Sequence, residues 1–302
     1  MKKLFWMLQA GCIFIATWCL SLVPAHRTEG VGKRLGRLFM SAAPGRFRVA
    51  VENIRLARPF FTSHAADGWA GHTPEYVAQG MFEHLGQSLV EISQMYHGRA
   101  GYLIDEVVLK GVEHYQQAKT GGKGIILLTG HCGNWEVVGI AYSLLFQEQL
   151  SVVARKQDNP YLNAFVEQVR RRYDNTVIYK QNAVRGIMSA TRHGGVVALL
   201  VDQALSPSEG GVRVPFLGRP AWTSKTPVVL ARKTGAAVVP AFSYRENGHH
   251  VIEFHPEIRF SSETDDTALL EDVARYTRTL EEYIMAHPTN WFWLHKRWKD
   301  YQ

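Results

Sequence analysis

A histidine and a glutamate stand five positions apart in Gly130-His131-Cys132-Gly133-Asn134-Trp135-Glu136, directly after the apolar run Ile125 to Thr129. The run reads as a strand. The glycine-flanked turn then puts His131 at the strand's carboxyl end, where α/β sheets bind ligands. With an ordinary pKa near 6.5, an imidazole there accepts a proton at neutral pH. Glu136 falls in the first turn of the next helix, where the helix dipole favours its charge. From there it can hydrogen-bond one ring nitrogen and leave the other free as base, the orienting logic of a triad with a substrate hydroxyl in place of the serine. The plainer reading is a turn histidine and an N-terminal helix acid, a common pairing at helix starts. The glycines and the preceding strand favour the chemical one.

Other constructions of a site are weaker. Cys132 sits beside His131, but consecutive side chains rarely converge, and a buried inert thiol is the simpler reading. The chain contains no HExxH, Walker loop, GxGxxG or GxSxG elbow, which argues against a zincin, a P-loop enzyme, a dinucleotide fold and a serine hydrolase. His249, His250 and His255 read as surface or core positions, not metal ligands. No metal and no dissociable cofactor is expected.

Further polar residues cluster where strands end. Arg155 and Lys156 follow the apolar stretch 151–154, and arginine grips phosphate with two hydrogen bonds, so both are candidate acceptor-binding residues. A solvated loop charge is the alternative. Asp202 and Gln203 end the run 196–201 and are further substrate-binding candidates; Asp202 is also placed to pair with Arg155, to hold the site loop, or to serve the structure alone. Arg213 and Arg219 flank Pro215-Phe216 and are weaker candidates for an acceptor phosphate.

The elements that position these residues follow from periodicity. Residues 25–120 read as helical: 46–57 is amphipathic, and 74–96 carries apolar residues at helical spacing behind a Thr73 cap and a first-turn Pro74. After Gly121-Gly122 the pattern changes. Strands are expected at 124–129, 151–154, 176–179, 196–201, 236–242 and 250–254, with helices at 135–146, 160–173, 183–192, 226–234 and 267–286. Such alternation, with unbroken hydrophobic strands, predicts an α/β core whose mostly parallel or mixed central sheet is covered by helices on both faces. The end of the chain is dense in tryptophan and basic residues; Trp291 and Trp293 are expected to pack, and Lys296, Arg297 and Lys299 to face headgroups.

Residues 4–24 contain no Asp, Glu, Lys or Arg, and at about 1.5 Å per residue they span roughly 30 Å, enough to cross a bilayer core. The predicted organisation is a membrane anchor over 1–25 and one domain over 26–302, helical over 26–120 and α/β over 121–302. Lys2 and Lys3 precede the apolar run; His26, Arg27, Lys33, Arg34 and Arg37 follow it, which favours a cytoplasmic body. A cleaved signal peptide ending near Val23-Pro24-Ala25 is the alternative, but signal-peptide apolar regions are shorter. An apolar content of 46% with 20% charged residues excludes disorder, and a net charge of +7 suits an anionic partner. Nucleic acid is a poor fit, because the basic residues are scattered and no recognition module is present.

Taken together, these blocks resemble the bacterial late acyltransferases of lipid A biosynthesis, the lauroyl/myristoyl transferases that use acyl carrier protein thioesters. His131 to Glu136 is similar to the H-x-G-N-W-E form of that family's H-x4-D/E acyltransferase motif. Ala154-Arg155-Lys156 with Asp158-Asn159-Pro160, Gly194-Gly195 leading to Asp202-Gln203, Val214 to Arg219, and His287 to Lys299 match in the same order. The resemblance implies that His131 is the general base and Glu136 its orienting partner. It implies acyl carrier protein as donor, a phosphorylated glycolipid (the Kdo-bearing lipid IVA precursor of lipopolysaccharide) as acceptor, and membrane lipids as surroundings. The catalytic domain would then face the cytoplasm from the bacterial inner membrane. Charge developing on the thioester carbonyl would be met by backbone N–H groups near Gly133 or by a nearby arginine. Relatives acylate other glycolipids, such as mannosylated phosphoinositides. A thioesterase or esterase using the same pair with water, and a catalytically silent lipid-binding protein, are the other readings. Only the transferase accounts for anchor, basic charge and base-like histidine together.

Overall fold

The computed structural model describes residues 1–64 and 72–300. The strands are β1 Val108–Lys110, β2 Ile125–Thr129, β3 Leu150–Ala154, β4 Thr176–Tyr179, β5 Val196–Leu200, β6 Gly211–Phe216, β7 Arg219–Ser224, β8 Ala237–Glu246 and β9 His249–Phe254. Among the described residues, seven of them form one sheet in the order β1-β9-β8-β2-β5-β3-β4, and β6 with β7 forms a separate hairpin. Strands β4, β3, β5, β2 and β8 run parallel; β9 is antiparallel to β8, and β1 is parallel to β9.

The two central strands read IILLT and VVALL because both their faces are covered. Ile126, Leu128, Val197 and Leu199 enter one apolar layer; Ile125, Leu127, Val196 and Ala198 enter the other. The second layer is closed by α5 Gly101–Asp105, α6 Val112–Thr120 and α7 Trp135–Phe146. The first is closed by α3 Pro44–Ser63, α4 Pro74–Tyr96, α9 Ala183–Arg192, α10 Thr226–Thr234 and α11 Asp266–Ala286. Helix α8 Pro160–Arg172 connects β3 to β4.

Helix α4 starts as its sequence predicts, with the Thr73 hydroxyl accepting from Tyr76 N–H at 3.1 Å. Helix α2 Thr28–Ala42 lies against it backbone to backbone. A Cβ on Gly86 would meet the Gly32 carbonyl at 2.2 Å, so only glycine allows this approach. Helix α1 Lys2–Ser21 is long and apolar enough to cross a membrane. It exposes Leu4, Phe5, Leu8, Ile15 and Trp18 while touching α4 and α8 along its other side.

Three differences from the sequence reading have local causes. The stretch expected to be wholly helical contributes β1, a strand of only three residues, too short for a periodicity to register. Strands β6 and β7 were not expected: two prolines, Pro215 and Pro220, face each other across this antiparallel pair and mask its alternation. Arg297 does not face headgroups. It is 1% exposed, donates to the Trp222 carbonyl and the Thr223 hydroxyl, and stacks over Phe216. Trp291 and Trp293 are buried, and Lys296 and Lys299 exposed, as expected.

A buried ion cluster ties the helical half to the sheet. Glu91 of α4, 1% exposed, accepts from Arg245 at 2.6 Å, from Asn134 at 2.8 Å and from His250 at 3.2 Å. Burial alone would raise its carboxyl pKa, but Arg245 and His250 hold it well below the usual carboxylate range. Glu91→Ala would leave Arg245 buried without its counter-charge, a change that typically costs about 3–5 kcal/mol. The expected outcome is a large fall in melting temperature; an unchanged melting temperature would show the cluster to be energetically idle.

Candidate active site

Register brings the key pair together. Strands β2 and β5 pair Thr129 with Leu200, so His131 and Asp202 each lie two residues past the same rung, and Val201 N–H extends the ladder to Thr129 O at 2.9 Å. His131 Nδ1 and Asp202 Oδ1 are 2.8 Å apart. The other Asp202 oxygen accepts from Trp291 Nε1 at 3.1 Å, and the residue is 2% exposed. An ionised carboxylate only accepts, so Nδ1 carries the hydrogen and Nε2 keeps its lone pair. The Gln203 amide nitrogen, 3.4 Å from Nε2, fits an acceptor there.

Electrostatics follow the geometry. Burial pushes the His131 imidazolium pKa down, but the Asp202 charge and hydrogen bond outweigh it, helped by Glu136, and the pKa stands above the ordinary histidine value. Burial also pushes Asp202 up, and its His131 partner more than reverses that. The Cys132 thiol is fully buried and its pKa is raised by that burial, which suits an inert side chain.

The turn carrying His131 is clamped from the far end of the chain. Phe292 N–H donates to the His131 carbonyl at 3.1 Å, and Gly133 N–H donates to the Asn290 carbonyl at 2.7 Å. The Ser243 hydroxyl donates to the Cys132 carbonyl at 2.8 Å. Gly133 has φ +54°, and a Cβ on it would lie 2.5 Å from the Ser243 carbonyl oxygen, so this position takes glycine. The Gly133 amide, among the backbone groups that the sequence offered as oxyanion donors, is engaged by Asn290.

Glu136 sits in the first turn of α7, as expected, but no hydrogen bond joins it to His131 among the described residues. Asp202 holds the ring instead. The Glu136 carboxylate faces Arg170 of α8 at 3.8 Å. Five positions of separation carry its side chain around the helix start, whereas Asp202 arrives from the neighbouring strand at the same level.

His131 opens into a cavity of about 730 Å³ at the carboxyl edge of the sheet. Its polar lining includes Glu136, Arg155, Arg170, Lys180 and Gln203, while Val138, Ile140, Leu150, Val152, Ile187 and Leu199 give it apolar walls. Arg155 is exposed and bonds both oxygens of Asp158, at 2.9 and 3.0 Å, so the expected pairing with Asp202 is not made. Lys156 is exposed on the same loop, outside the cavity lining. Arg213 and Arg219 belong to the β6–β7 hairpin and are not among the lining residues, with Arg213 3.9 Å from Asp300. Arg170, Lys180 and Tyr96 were missed by sequence reasoning. A helix facing the cleft one turn per four residues would have flagged Arg170, had the orientation of α8 been known.

Comparison with known proteins matches this arrangement to one family. The sequence model of the bacterial lipid A biosynthesis acyltransferases covers residues 2–300. A lipid A biosynthesis acyltransferase of Haemophilus influenzae is 23% identical over 300 residues, spanning 97% of this chain and 88% of that one. The lipid A biosynthesis lauroyltransferase of Escherichia coli K12 is 24% identical, over 98% of this chain and 92% of its own. A phosphatidylinositol mannoside acyltransferase of Mycobacterium tuberculosis is 25% identical, over 70% and 66%. With its sheet edge, its His131 turn and a match along nearly its whole length, the chain belongs to the bacterial lipid A biosynthesis acyltransferase family.

Proposed function

We propose that the chain transfers a fatty acyl group from an acyl carrier protein thioester to a hydroxyl of the Kdo-bearing lipid IVA precursor, at the cytoplasmic face of the inner membrane. The observation that carries this reading is the imidazole of His131, fixed through Nδ1 by Asp202 and presenting Nε2 to a cavity with apolar walls. The acceptor hydroxyl gives its proton to Nε2 as its oxygen attacks the thioester carbonyl. The carbon–sulfur bond then breaks, and the imidazolium returns the proton to the leaving thiolate. The products are an ester and the free carrier thiol. Arg170 and Arg155, at the cavity, meet the charge on the carbonyl oxygen and on the acceptor phosphates, with Lys156 reinforcing the second task. Glu136 fixes Arg170 and adds its charge beside the imidazolium. Helix α1 serves as the anchor of a 26–302 catalytic domain. The scheme calls for no cofactor, the carrier thioester being a co-substrate.

A second reading, acylation of a mannosylated phosphoinositide, has the mycobacterial relative behind it. Membranes containing the full chain, supplied with acyl carrier protein thioesters and each acceptor in turn, separate the two by mass spectrometry. A gain of one acyl chain on the lipid A precursor is expected. A gain only on the phosphoinositide would replace the acceptor, and free fatty acid alone would make the enzyme a hydrolase.

A further inference from the structure

Gln9 is the one strongly polar side chain in the apolar run 4–24, and its partner lies at the active-site edge. Asn159, 5% exposed, precedes Pro160 at the start of α8. Its Oδ1 accepts from Tyr161 N–H at 2.9 Å and Leu162 N–H at 3.4 Å, capping α8. Its Nδ2 donates to the Trp6 carbonyl at 2.8 Å and to Gln9 Oε1 at 2.9 Å, both on α1. The partners fix which end of the amide is which: two N–H groups point at the oxygen and two oxygens at the nitrogen. Farther along the same side of α1, the Thr17 hydroxyl lies 3.0 Å from His97 Nε2. Phe14 packs edge-on against His97 and Phe165, at 5.1 and 5.5 Å. Polar groups on a lipid-facing helix are costly unless another element satisfies them, so this side of α1 is built for α4 and α8 and the opposite side for lipid.

Helix α8 runs from that contact to the site. The loop before Asn159 holds Arg155, Lys156 and Asp158, tied together by the Arg155–Asp158 pair. At the other end of the helix, Arg170 faces Glu136 in the turn after His131. One rigid element therefore meets α1 from its cap Asn159 to Phe165 and reaches the cavity at its last turn.

We propose that Asn159 is a positioning residue that couples the seating of α1 to the acceptor-binding edge of the site, through the 155–158 loop and α8. The site geometry then depends on this particular helix being docked, beyond its work as an anchor. The acceptor part of this inference rests on the function proposed above; the docking part does not.

Asn159→Asp tests it in the full chain, reconstituted in vesicles of phosphatidylethanolamine and phosphatidylglycerol. Aspartate caps a helix as well as asparagine, but it has no N–H to give α1. Gln9→Leu weakens the same contact from the other side and leaves the α8 cap untouched. Both variants are expected to show faster amide exchange over residues 155–162, with membrane attachment retained. For Asn159→Asp, KM for the lipid A precursor is expected to rise by about tenfold with a smaller change in kcat, within the range reported for residues along a coupling element. Gln9→Leu should move KM the same way by less. Wild-type exchange and KM in both variants would overturn the coupling. So would a change in Asn159→Asp with none in Gln9→Leu, which would reduce Asn159 to a helix cap. If the wild-type chain acylates no lipid A precursor, the proposed acceptor fails while the exchange comparison still decides the coupling.

Discussion

His131→Ala is expected to lower kcat for acyl transfer by about 10³-fold, inside the 10²–10⁴-fold span typical of general-base catalysis. The substitution removes Nε2, the atom proposed to take the hydroxyl proton. Of the other polar groups lining the cavity, Glu136 is turned toward Arg170 and Glu209 accepts from the Ser206 hydroxyl at 2.8 Å. Substrate contacts along the apolar walls stay, so KM should move by much less than kcat. Asp202 keeps its Trp291 hydrogen bond and the turn keeps its three hydrogen-bond clamps, so the variant should fold, with a melting temperature lowered by the loss of the partner that offsets the burial of Asp202. Turnover within tenfold of wild type, from folded protein in the membrane fraction, would remove the imidazole from the chemistry.

Asp202→Asn should lower kcat/KM by about 10²-fold or more, because an amide can face Nδ1 with its own N–H and move the ring hydrogen to Nε2. It should also move the pH profile. A protonated imidazole cannot accept the hydroxyl proton, so the wild-type rate falls as pH drops through the His131 pKa, which Asp202 holds above the ordinary histidine value. Without that charge, burial prevails and the pKa falls. The acidic limb of the asparagine variant should therefore lie at lower pH, beneath a lower plateau. Glu136→Gln provides the contrast: lacking a bond to the ring, it should cost less, on the order of tenfold, with little movement of the limb. A larger loss in the Glu136 variant than in the Asp202 variant would return the orienting role to Glu136.

The parallel strands, the long helices and the His131 turn were legible because each leaves a local mark: an unbroken apolar run, a helical period, two glycines around a histidine. What holds His131 was not. The Asp202 contact is written in the β2–β5 register, 71 residues away in sequence, and register between non-consecutive strands leaves no local trace. Glu136 attracted the role by proximity in sequence alone. Arg170 was hidden for a related reason, since only the docked orientation of α8 turns it toward the cleft. Arg297 looked like a surface cation because it lies between two exposed lysines, Lys296 and Lys299; its carbonyl partner comes from β7. Gln9 stood out in the apolar run, yet nothing nearby in sequence could say that it answers Asn159.

The placement of His131 and Asp202 two residues beyond a shared rung has a thermal consequence. Central parallel strands are among the last parts of a fold to open, because their amides are released only by near-global unfolding. The proposed catalytic pair, mounted there, cannot come apart in a small, local fluctuation, as one carried on separate surface loops can. Loss of activity on heating should then track the cooperative melting of the whole sheet. The mobility that exchange of long-chain substrates demands has to come from the periphery, and the rim of the cavity offers it in the exposed 155–158 loop and the exposed face of α9, far from the backbone ladder that keeps proton donor and acceptor in line.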